Sequence, residues 1–99
     1  MYLIDMHFHA PGAITPELSA RHRDHLAAEY ATGDLIFGGR KIPRTGGLIF
    51  SRHDSLDQVR RLMESDPLVL ADLATFTVTE FETVMATEAY SDLLPTTDR

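Results

Sequence analysis

Five histidines lie in 99 residues with no cysteine, and four of them come as two close pairs. His22 and His25 are three apart in Arg21-His22-Arg23-Asp24-His25-Leu26, and His7 and His9 alternate in Asp5-Met6-His7-Phe8-His9. Imidazole titrates near neutrality, so a positioned histidine can take or give a proton in general acid–base catalysis. A carboxylate behind it fixes the ring and steadies the imidazolium. His25 is a candidate base or acid on these grounds, with a carboxylate from elsewhere in the chain as its partner. His22 is expected to pack on the sheet or meet solvent, since two histidines one helical turn apart are a weak motif.

His7 and His9 fall on one strand face with Asp5, and the three are expected to line the cavity and bind substrate. A metal held by His7 and His9 is an alternative reading, because His-x-His on a strand can ligate a cation. The spacings that make such a motif specific are absent, so no metal is expected at the site. Arg40, Lys41 and Arg44 lie in a glycine-flanked run, where Arg40 could hold an anionic substrate group. No Gly-Lys-Ser/Thr follows the glycine pairs Gly38-Gly39 and Gly46-Gly47, so they form no phosphate loop. No organic cofactor is implied.

The elements that position these residues follow from periodicity. Residues 2–9 alternate, with Tyr2, Ile4, Met6 and Phe8 on one face and Leu3, Asp5, His7 and His9 on the other. Period two marks a strand. Thr15-Pro16-Glu17 opens a helix with an N-cap, a proline at the first helical position and a first-turn carboxylate. Gly33 is placed to end it in the left-handed conformation. Leu18, His22, Leu26 and Tyr30 make its stripe, with His25 and Glu29 beside them. That stripe is thin for a face that packs on a sheet, and a histidine interrupts it.

Residues 34–38 and 47–51 read as two strands of a hairpin. Ser55 and Gln58 fit a capping box for a second helix, which must stop before Pro67. Residues 68–71 add one turn, and 74–81 alternate again as a fourth strand. Residues 82–99 form an acidic extension of the same domain. A short helix is expected over 83–94, followed by a disordered end.

The order β-α-β-β-α-β predicts an α+β fold, the ferredoxin-like arrangement of two helices on one face of a four-stranded antiparallel sheet. Its open face would carry Leu3, Asp5, His7, His9 and a threonine row, covered by a second subunit or closing a cavity. Composition narrows the partners. The net charge of -6 argues against nucleic acid. No apolar run approaches the roughly 20 residues that span a bilayer. The first residues lack the form of a signal peptide, so a cytoplasmic location is expected. A monomer of this size buries only about 60–65% of its unfolded surface, a limit that oligomerisation eases.

The run His25-Leu26, Gly33, Phe37-Gly38-Gly39, Thr45-Gly46-Gly47, Ser55, Asp66-Pro67 and Phe81 resembles the YCII-related (YciI-like) domain family. The match covers residues 2–81. It departs at Gly39-Arg40, where many members carry Gly-Pro, and in the acidic tail. The resemblance implies a dimeric ferredoxin-like α/β barrel, similar in fold to muconolactone isomerases. It also implies a site centred on a histidine and an aspartate, which by position are His25 and Asp66. The reactions implied are isomerisation or lyase chemistry, dehydrochlorination included, on a small cyclic or aromatic compound. A non-catalytic ligand-binding or assembly protein of the same fold is the reading from another class.

Overall fold

A computed structural model describes residues 1–95. The strands are β1 (Tyr2–Phe8), β2 (Leu35–Arg40), β3 (Gly46–Ser51) and β4 (Ala74–Glu80). The helices are α1 (Pro16–Thr32), α2 (Leu56–Glu64) and the single turn α3 (Pro67–Leu70). The strands form one antiparallel sheet in the order β2-β3-β1-β4. The two central strands are therefore the first and third in sequence, as a split β-α-β arrangement requires. This is the ferredoxin-like α+β fold. Among the described residues no helix is long and apolar enough to cross a membrane.

Alternation in β1 divides the sheet into two faces. Tyr2, Ile4 and Met6 are buried beneath the helices, while Leu3, Asp5 and His7 face the open side. Ile4, Met6, Leu35, Val59, Met63 and Leu68 are the fully buried apolar side chains. Burying one such side chain contributes about 1.5–3 kcal/mol. α1 contributes Leu26 alone as a buried residue, so its hold on the sheet rests on few apolar contacts and on the polar bonds described below.

Local chemistry sets the boundaries. Thr15 Oγ1 accepts the Leu18 N–H at 3.1 Å, and Gly33 turns the chain with φ 86°. Only glycine adopts that conformation without a steric cost. Ser55 Oγ accepts the Gln58 N–H at 3.2 Å, but the Gln58 side chain reaches the N–H of Asp54 rather than that of Ser55. The capping box is displaced by one residue on its return bond. β2 runs on to Arg40, which pairs with Gly47, so the connecting loop is shorter than the glycines suggest.

The tail differs from expectation. Regular structure is confined to a 3-10 segment, Glu88–Leu93, and Val84 and Met85 are exposed. Thr83, Val84 and Thr87 lose side-chain rotamer freedom in a helix, and no apolar surface compensates. Arg52 reaches Asp92 at 3.1 Å and ties the segment to the end of β3. The expected disordered end lies outside the described residues.

At Gly46 the backbone of β3 approaches the Met6 carbonyl so closely that a Cβ has no room, whereas Gly39 faces open space. Gly46→Ala should lower stability by about 2 kcal/mol or more, and Gly39→Ala should stay within about 0.5 kcal/mol. Urea denaturation of the two variants checks this. Equal losses would contradict it.

Candidate active site

Asp66 is the N-cap of α3. Pro67 disfavours helical geometry at the residue before it, so Asp66 is extended (φ -64°, ψ 134°) and its side chain turns back over the helix start. Oδ1 accepts the Leu68 N–H at 2.8 Å. Oδ2 accepts from Nδ1 of His22 at 2.7 Å. The side chain is wholly buried and His22 is 18% exposed. Burying a carboxylate without partners is costly. Here two donors engage its two oxygens.

His22 sits in the middle of α1, in line with Leu18 and Leu26. α3 touches α1, α2 and β4, which brings Asp66 under that line. Because a carboxylate only accepts, His22 must carry its proton on Nδ1. Nε2 then presents a lone pair, and among the described residues no hydrogen bond engages it. His22 lines a cavity of about 850 Å³ between α1 and the β2–β3 end of the sheet. Phe8, Ile14 and Ile49 supply apolar wall, and Arg23, Arg40 and Arg44 supply three guanidinium groups. Among the described residues no carboxylate lines it. Tyr30 adds a hydroxyl, and burial raises its pKa, so it stays protonated at neutral pH and can donate.

The expected residues are redistributed. Asp66 pairs with His22, not with His25. His25 Nε2 donates instead to the carbonyl of Leu62 at 2.7 Å, near the C-terminal end of α2. The reason is helical phase. Three residues advance an α-helix by about 300°, so His25 leaves the line of Leu18, His22 and Leu26 and faces α2. The usable signal was the interrupted stripe: a histidine in line with the packing leucines needs a buried polar partner.

His7, His9 and Asp5 are not in this cavity. Odd positions of β1 point to the opposite face, which corrects the expectation that they line it with the catalytic pair. The rings of His7 and His9 stand edge to face at 5.5 Å, and Asp5 binds Lys41 at 2.6 Å. Among the described residues no third histidine or carboxylate closes on His7 and His9. Arg40 lines the cavity.

The result is a ferredoxin-like α+β domain with a histidine held by a buried aspartate at a cavity wall. The YCII-related domain model matches residues 2–82, and the chain belongs to that family. Among solved structures the fold is similar to 5-chloro-2-hydroxyhydroquinone dehydrochlorinase from Burkholderia phenoliruptrix AC1100, in complex with 2,5-dihydroxybenzoquinone. The TM-score is 0.67 at 21% identity, over 83% of this chain and 94% of that one. A comparison with curated proteins gives no match.

The double role of Asp66 separates by substitution. Asp66→Asn keeps a capping oxygen, while Asp66→Ala removes the cap and strands His22. Asp66→Ala should cost about 3 kcal/mol, and Asp66→Asn less than half of that. Thermal unfolding measures both. Equal losses would show that the cap carries nothing.

Proposed function

We propose that the chain is a small-molecule enzyme in which His22, oriented by Asp66, moves a proton on a cyclic or aromatic compound. The carrying observation is the 2.7 Å bond from His22 Nδ1 to a buried carboxylate, with Nε2 left free beside the cavity. In this reading Nε2 takes a proton from a hydroxyl or carbon of the bound compound. Asp66 stabilises the imidazolium that forms, and the proton returns at another atom (isomerisation) or leaves with a departing group (elimination). Arg40 and Arg44 hold an anionic oxygen of the substrate, since guanidinium pairs well with carboxylate or phenolate geometry. In this reading His22 takes the catalytic role expected of His25. His25 serves instead to join α1 to α2.

The family and the fold of the dehydrochlorinase support this class of reaction without naming the substrate. A homodimer fits the open sheet face, where Phe37 is 53% exposed and stacks on Phe50 at 4.9 Å beside an exposed Leu48. An exposed apolar patch of this kind suits a subunit interface. Residues 82–95 extend the same domain, and the absence of cysteine is compatible with work in the cytoplasm.

The reading is tested with 5-chloro-2-hydroxyhydroquinone and a panel of hydroxylated or carboxylated cyclic compounds, following chloride release and absorbance. For any compound turned over, His22→Gln should lower kcat/KM by about 10³-fold. His25→Gln should change it by less than about fivefold. The opposite ranking would move the base to His25. Binding without turnover anywhere in the panel would favour a ligand-binding protein of the same fold.

A further inference from the structure

We propose that Glu29, Asp34 and His53 form a binding site for one divalent transition-metal cation, separate from the His22–Asp66 pair. The three come from different places in the chain. Glu29 lies in the last turn of α1. Asp34 follows the left-handed turn at Gly33, which sends the chain back past the helix end. His53 lies two residues beyond β3, just before α2. One ligand atom from each can be chosen so that all lie within 4.8 Å of one another. His53 Nε2 and Glu29 Oε1 are already 2.7 Å apart. Two ligands at metal distances of about 2.1 Å stand roughly 3–3.5 Å apart in tetrahedral or octahedral geometry. Closing on a cation would therefore separate Glu29 slightly from His53 and draw Asp34 inward.

The shell behind these residues is already built. Ser51 is wholly buried, and its Oγ lies 2.5 Å from His53 Nδ1 while accepting the His53 backbone N–H at 3.1 Å. A hydroxyl can donate or accept. It therefore supports His53 with Nε2–H bonded to Glu29, and equally with Nδ1–H bonded to Ser51 and Nε2 free to ligate. Metal-bound histidines are held in this way by a partner on the second ring nitrogen. Thr32 Oγ1 lies 3.2 Å from Asp34 Oδ2 and 3.1 Å from the Glu29 carbonyl, so its one proton can be donated to either.

The site opens on a cavity of about 480 Å³, which leaves room for water or a ligand at the remaining coordination positions. Arg61 lines the same cavity, but among the described residues no lysine or arginine forms an ion pair with Glu29 or Asp34. Two carboxylates and a nearly buried imidazole thus converge without a cation. One nitrogen and two oxygens suit zinc, manganese or iron(II) better than calcium or magnesium, which favour oxygen alone.

The test uses the full chain without an affinity tag, stripped with chelator and titrated with zinc and manganese by calorimetry. Cobalt absorption serves as a spectroscopic check. One equivalent should bind. A metal excess of a hundredfold over Kd should raise Tm by more than about 5 °C. Glu29→Gln and Asp34→Asn, which keep side-chain shape and hydrogen bonding, should each weaken binding at least tenfold and abolish the Tm shift. His9→Ala should leave binding unchanged. No binding below about 100 µM would overturn the proposal and leave His53–Glu29 as a hydrogen-bonded pair alone. Wild-type affinity in both carboxylate variants would also overturn it, placing the metal elsewhere. Neither outcome touches the His22–Asp66 reading, whose residues are unaltered.

Discussion

The carboxylate of Asp66 is the constraint on which the interior depends. It is wholly buried, and each of its oxygens accepts from a different element: the N-terminus of α3 and the side chain of His22 on α1. Removing either partner would leave a buried charge short of a donor, which is costly in a medium that solvates poorly. Pro67 makes the arrangement possible by holding Asp66 out of the helical region and at the cap. α1 offers the core one buried residue, Leu26, so its position relies on polar joints. His22 to Asp66 is one. His25 to the Leu62 carbonyl is another, and Glu29 to His53 is a third. All three lie on the helix side of the sheet, and only the first borders the large cavity.

Periodicity and punctuation sufficed for the fold. The alternation of residues 2–9, the Thr15-Pro16 start, the Gly33 stop and the Asp66-Pro67 break all correspond to real boundaries, because each is enforced by the local backbone. The side chains that meet across elements were harder to read. His22 and His25 differ by one turn less 60°, and which of them faces α3 depends on how α1 is rotated on the sheet. By position the resemblance implies His25, whereas the packing stripe of α1 points to His22. His22 occupied the packing stripe, where a polar residue persists only with a partner. Asp66 was recognisable because its proline neighbour is local. His53 gave no signal: it sits in a loop with no spacing motif, and Glu29 is 24 residues away.

The two faces of the sheet divide the polar residues by parity. Even positions of β1 serve the core and the cavity. Odd positions carry Asp5, His7 and, just past the strand end, His9. This parity removed three expected cavity residues at once and left Arg40, which enters from the end of β2. A one-residue slip of β1 would have exchanged the sets, which is why strand register matters as much as residue type in locating a site.

The central claim is that Asp66 fixes the proton of His22 on Nδ1 and leaves Nε2 as the free base. Long-range proton–nitrogen NMR of the imidazole rings reads this directly. At a pH where the rings are neutral, His22 should be the Nδ1–H tautomer, and it should switch to Nε2–H in Asp66→Asn. His25 should remain Nε2–H, bonded to the Leu62 carbonyl, in both proteins. An Nε2–H tautomer at His22 in the unmodified protein, or no response to Asp66→Asn, would contradict the account.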